Sequence, residues 1–244
     1  MKKGFINLGL ILLIFFLAIN NNWRVKDKFL ELKYTFFNTD EEIHSYQKIE
    51  KILSGFEKLS YTDLEEEYLE NTKSNETKYK KLVQNLDYCR IKKSDLNKRI
   101  VGRFRIKDFI CKDAYYKKCL GINGKEVICT FNKKIFFKTL ELLQELESLG
   151  HDPNAFDIVN GHRHPKYNEA IGGAKLSRHI KGEAVDIVVY DINKDGRSNK
   201  KDKDIILDLL DKKIIKSEGG IGLYPGTDRV HYYVRGKRAR WNSY

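Results

Sequence analysis

Two histidines and one aspartate carry the most legible chemistry in this sequence. The run Ser177-Arg-His179-Ile-Lys-Gly182-Glu-Ala184-Val-Asp186-Ile puts an imidazole in a loop turned by Gly182, just ahead of a carboxylate. A strand is predicted over Ala184 to Tyr190, so the turn folds His179 back toward Asp186. Asp186 is the sole charge in Ala-Val-Asp-Ile-Val-Val-Tyr, and a carboxylate among β-branched apolar residues requires a cation or strong donors. A third candidate ligand, His231, follows Gly219-Gly220-Ile-Gly222-Leu-Tyr224-Pro225-Gly226-Thr-Asp228-Arg-Val in an alternating strand. Two histidines and one carboxylate leave the fourth tetrahedral position of Zn²⁺ open to water, which is a catalytic rather than a structural pattern.

A second cation loop follows the first. Asp191-Ile-Asn193-Lys-Asp195-Gly196-Arg197-Ser-Asn199-Lys-Lys-Asp202 fits the EF-hand loop at positions 1, 3, 5 and 6, with Arg197 at position 7, Asn199 at 9 and Asp202 in place of glutamate at 12. It resembles the calcium loop of dockerin modules. Asp191, Asn193, Asp195, Arg197 and Asp202 are therefore candidate Ca²⁺ ligands, with local stiffening as the expected effect. The alternative is a polar, acidic surface loop.

These residues need elements to position them. A helix is predicted over Asn132 to Ser148, with Ile135, Phe136, Leu140, Leu143 and Leu146 on one side and Gly150 ending it. Strands are predicted at Phe156 to Val159, Ala184 to Tyr190 and Arg229 to Arg235, and a helix at Ile205 to Leu210. Without βαβ regularity this is an α+β domain, a small mixed antiparallel sheet with flanking helices carrying the zinc site, spanning 100–244. Ahead of it, 24–99 is rich in Lys, Glu and Leu and free of proline. Thr39 with Glu42 and Thr62 with Glu65 have capping-box spacing, and Ile43, Tyr46, Ile49, Leu53 and Phe56 recur at helical intervals, so this stretch reads as a helical accessory region.

The first residues read as an export signal. Met1, Lys2 and Lys3 precede an apolar run from Phe5 to Ile19, and 1–23 is expected to be a signal anchor or a cleaved signal peptide. A polytopic membrane protein is excluded, because this is the one long apolar run in the 244 residues. In an oxidising compartment Cys89, Cys111, Cys119 and Cys129 suit two disulfides of open connectivity, and unpaired thiols are the alternative. The net charge of +12 comes from 46 basic residues interleaved with 34 acidic ones. No aromatic-basic motif points to nucleic acid, and attraction to an anionic cell envelope is the simpler expectation.

Three motifs together resemble the zinc D-alanyl-D-alanine carboxypeptidases, peptidoglycan peptidases that share a metal site with murein endopeptidases and the hedgehog signalling domain. The pattern S-x-H-x-x-G-x-A-x-D is met at Ser177, His179, Gly182, Ala184 and Asp186, and G-G-x-G-x-Y-P before a V-H strand from Gly219 to His231. Asn160-Gly161-His162-Arg163-His164-Pro165-Lys-Tyr167-Asn168 corresponds to the family's S-G-Y-R-x-P-x-Y-N run, and Phe104 to Phe109 to its domain-opening segment. The resemblance implies that His179, Asp186 and His231 ligate zinc and that Asp228 is the general base. It also implies that Arg163 grips a substrate carboxylate or polarises the scissile carbonyl. Tyr233 stands where many members carry an acid, and His162 and His164 flank Arg163 either as cleft-lining or as surface residues. A zinc-dependent peptidase acting on peptidoglycan stem peptides outside the cytoplasm is thus the expected function, with a non-catalytic, metal-stabilised peptidoglycan-binding module as the alternative.

Overall fold

The structure, a computed structural model, describes residues 41–110 and 125–242. Ser45 caps α1 (Tyr46–Ser54) by accepting the Lys48 N–H, and the helix turns Ile49 and Leu53 inward. Then come β1 (Glu57–Leu59), α2 (Glu66–Asn71), α3 (Thr77–Val83) and β2 (Tyr88–Lys92), followed by β3 (Arg99–Val101), β4 (Phe104–Arg105) and β5 (Glu126–Thr130). β1, β2 and β5 form an antiparallel sheet in that order. The stretch expected to be helical therefore also supplies two strands, because Cys89 and Ile91 find an apolar partner in Val127 and Cys129 far along the chain. Ile49 and Leu53 share one core with Phe104, Phe136 and Tyr232, so residues 42–99 pack as part of the same unit as those that follow.

Capping departs from expectation at one place. The box lies at Ser60 and Asp63 instead of Thr62 and Glu65: Ser60 N–H donates to Asp63 Oδ2 at 2.7 Å. Glu65 is drawn away by Arg90, whose Nη2 stands 2.9 Å from its carboxylate. Thr39 lies outside the described residues, as does the apolar run from Phe5 to Ile19. No helix among the described residues is long and apolar enough to cross a membrane.

The second half builds the sheet that carries the site. α4 (Lys133–Ser148) starts at Asn132, whose side chain accepts the Lys134 N–H. β6 (Phe156–Asn160), α5 (Pro165–Ala170), β7 (Ala184–Val189), α6 (Lys200–Leu209), β8 (Gly219–Gly222), β9 (Arg229–Val234) and β10 (Ala239–Trp241) follow. Strand order is β10-β8-β9-β7-β6, parallel between β10 and β8 and antiparallel elsewhere. α4 packs against β9 and ties Thr139 Oγ1 to the buried Tyr232 hydroxyl at 2.9 Å. α6 begins ahead of the expected Ile205 because Asn199 and Asp202 form a capping box. This is the expected α+β class.

Cys89 and Cys129 are buried free thiols, so neither is in a disulfide. Cys111 and Cys119 lie outside the described residues.

Candidate metal centre

His179 rides on a short helical turn, Arg178–Lys181, closed by Gly182 at φ +61°. Glycine is required there twice over: the backbone is left-handed, and a Cβ would stand 2.1 Å from the Thr130 carbonyl oxygen. Asp186 and His231 meet because β7 and β9 pair them directly. Alternation along each strand then points both side chains to the same face. Just past β6, the Gly161 carbonyl accepts from His179 Nδ1 at 2.7 Å. That bond fixes the tautomer and leaves Nε2 facing its neighbours.

The three side chains converge. His179 Nε2 lies 3.1 Å from His231 Nδ1 and 3.3 Å from Asp186 Oδ1, and the last two atoms are 2.6 Å apart. Zinc bonds of about 2.0–2.2 Å at tetrahedral angles separate ligand atoms by about 3.3 Å. Two of the three distances meet this, and the third is the closer contact of a charge-assisted hydrogen bond. Burial holds His179 neutral, below its ordinary pKa. Burial also opposes ionisation of Asp186, but His179 and His231 outweigh it and hold the carboxyl well below the usual range. Neutral imidazole and ionised carboxylate are the states a metal needs. The other carboxylate oxygen, Oδ2, accepts from Arg163 Nη2.

Residues 104–201 match the family Peptidase M15. Over this stretch the chain is similar to the M15 peptidases. The family is zinc-dependent and its members are metallopeptidases. The matched stretch holds Arg163, His179 and Asp186, and pairing of β9 with β7 adds His231 from beyond it. No curated protein and no solved structure matches the chain.

Other expected site residues fall in different places. Asp228 is exposed just ahead of β9. Val189 N–H donates to its backbone carbonyl at 3.0 Å, and its charge acts on Tyr190 and Lys203. Its carboxylate is not gathered with His179, Asp186 and His231. Tyr233 is buried, its ring 5.7 Å from that of His231 and 5.4 Å from that of Trp241. Trp241, itself 5.4 Å from His231, had no spacing signal in the sequence. Aromatic packing thus surrounds His231. His162 and His164 are both buried and neither is a surface residue. His164 Nδ1 caps α5 by accepting the Tyr167 N–H. Burial and the neighbouring His164 and His179 pull His162 down to about 3, so it is neutral.

In the loop of Asp191 to Asp202, the expected calcium ligands accept backbone N–H groups. Asp191 takes those of Asp195 and Gly196, Asn193 that of Asp195, Asp195 that of Arg197, and Asp202 those of Asn193 and Asn199. Gly196, at φ +83°, makes the sharp turn. Among the described residues the gathered metal-ligating group is His179, Asp186 and His231, and the loop acids do not form another.

Proposed function

We propose that this chain hydrolyses peptidoglycan stem peptides outside the cytoplasm, in the manner of a D-alanyl-D-alanine carboxypeptidase or murein endopeptidase. The observation that carries the reading is the gathering of His179, Asp186 and His231, a donor set that could hold a metal ion and that as three ligands would leave one tetrahedral position open. Zinc held there supplies Lewis acidity and makes water acidic near neutral pH. The apolar run after Lys2 and Lys3 and the net charge of +12 support an exported protein, held at the membrane by its N-terminal segment and facing an anionic envelope. The decisive experiment is mass analysis of muropeptides incubated with the purified full chain, with and without chelator. Loss of terminal D-alanine or stem cleavage that the chelator stops is expected, and unchanged muropeptides would refute the substrate class.

Arg163 binds and orients in this reading. It is 8% exposed, pairs with Asp186 through Nη2, and keeps Nε buried without an acceptor. Arg163→Lys retains the charge beside Asp186 but loses the fork that grips a carboxylate or carbonyl. Turnover should fall by about tenfold or more, while stability changes by less than about 1 kcal/mol. Comparing free-carboxylate and internal-bond substrates separates the two roles. A selective loss on the former means carboxylate capture, equal loss means carbonyl polarisation, and normal rates on both remove Arg163 from the site.

Asp228 is the base in this proposal, on the strength of its place three residues before His231. Asp228→Asn should lower turnover by about 10²–10⁴-fold, the usual worth of a general base, and leave zinc content unchanged. Its distance from the cluster, and Tyr233 in place of an acid, favour the second reading, a metal-stabilised peptidoglycan-binding module. That reading wins if the wild-type chain binds muropeptides without cleaving them. Calcium at Asp191, Asn193, Asp195, Arg197 and Asp202 completes the proposal: the melting midpoint of zinc-replete protein should rise in millimolar Ca²⁺ by linkage, and an unchanged midpoint removes this part.

A further inference from the structure

Cys89 and Cys129 face each other across β2 and β5, paired directly in register. Directly opposed residues of an antiparallel pair have Cα atoms about 4.5–5.5 Å apart, within the roughly 4.4–6.8 Å that a disulfide spans. Both thiols are free and buried. A cation attends one of them: Lys58, the partner of Cys89 on β1, places Nζ 3.2 Å from the Cys89 sulfur. Burial pushes both thiols above their ordinary pKa, and the Lys58 ammonium opposes that at each.

Access is unequal. Cys89 and Lys58 line a cavity of about 870 Å³ whose wall also carries Lys133 and Lys181, whereas Cys129 is fully buried behind them. A small disulfide can thus meet Cys89 first, beside the Lys58 ammonium.

We infer that Cys89 and Cys129 are a dithiol site which a low-molecular-weight disulfide converts into a cross-strand protein disulfide, Cys89 attacking and Cys129 resolving. The Cys89 thiolate attacks one sulfur of the small disulfide, a mixed disulfide forms, and the other half leaves as a thiolate that takes up the proton Cys89 gave up. Cys129 then attacks the Cys89 sulfur and expels the second half as a thiol. Two protein thiols are oxidised and one small disulfide is reduced to two thiols. Cys129 adjoins Thr130, whose carbonyl backs Gly182, and the Asn132 N–H donates to the Gly182 carbonyl at 3.0 Å. The new bond therefore braces the wall behind the turn that carries His179. None of this depends on the peptidase reading.

The test is to treat the reduced full chain with oxidised glutathione and map its disulfides by proteolysis and mass spectrometry without reduction. A peptide joining Cys89 to Cys129 is expected. In Cys129→Ser the reaction should stop at one glutathione on Cys89, and in Cys89→Ser residue Cys129 should stay unreacted. Lys58→Met should slow cross-linking by roughly threefold or more, since an adjacent ammonium favours the thiolate. Wild-type mapping alone decides if a variant does not fold. Linkage of either residue to Cys111 or Cys119, glutathione on Cys89 without the cross-link, or two persistent free thiols would each overturn the inference.

Discussion

His179→Ala is expected to strip zinc from the purified protein and abolish peptidase turnover while leaving a folded chain. The imidazole supplies the Nε2 that faces both Asp186 and His231, and its Nδ1 is already committed to the Gly161 carbonyl. No other described histidine, cysteine or acid joins this group. Binding should weaken by more than about 100-fold, because changes merely behind a ligand already bring about 10–100-fold losses. The fold should survive: Asp186 keeps Arg163 and His231 as partners, so the lost hydrogen bonds cost about 1–3 kcal/mol. Metal analysis after dialysis against chelator, with the melting midpoint alongside, reads both effects. Full zinc occupancy in a folded variant would dismiss His179 as a ligand. Asp228→Asn, exposed and outside the cluster, is the contrasting variant that should keep its zinc.

Much of this centre was legible because its signals are local. A single acid in an apolar strand, an imidazole just before a glycine turn, and a histidine in an alternating strand each stand out within about ten residues. The amphipathic periodicity of α4 and the β-branched run of β7 are equally local. What escaped has no local signal. β8 is built from Gly219, Gly220, Ile221 and Gly222, a composition with little strand preference. Its glycines are there for clearance: a Cβ would stand 1.9 Å from the Tyr233 carbonyl at Gly219, and 2.2 Å from the Tyr233 ring at Gly220. β2 was read as part of a helical region because its partner, β5, lies far along the chain. The Gly161 carbonyl that orients His179 is main chain and leaves no trace in residue type. Asp228 is legible by its spacing from His231 alone, and the turn before β9 leaves its carboxylate exposed, its charge acting on Tyr190 and Lys203.

Gly161→Ala is expected to damage both the fold and the metal site through one methyl group. A Cβ at this position would stand 2.1 Å from the Phe109 carbonyl oxygen and 2.5 Å from its Cα. These are main-chain atoms, so no side-chain rotation relieves the overlap, and the segment beyond β6 has to move away from Phe109. That movement breaks the bond from the His162 N–H to the Phe109 carbonyl, now 2.7 Å. It also carries the Gly161 carbonyl off His179 Nδ1 and shifts Arg163 relative to Asp186. Overpacking of this kind costs about 1–3 kcal/mol, and loss of the carbonyl that orients a ligand weakens metal binding by about 10–100-fold. Denaturant midpoints and zinc competition against a chelator measure the two losses. Gly55→Ala serves as the control: φ is −77° and the nearest contact to an added Cβ is 3.4 Å, so it should shift stability by no more than about 0.5 kcal/mol. If Gly161→Ala instead bound zinc and resisted denaturant like the wild type, the packing of this segment on Phe109 would not be what holds His179 in its ligating orientation.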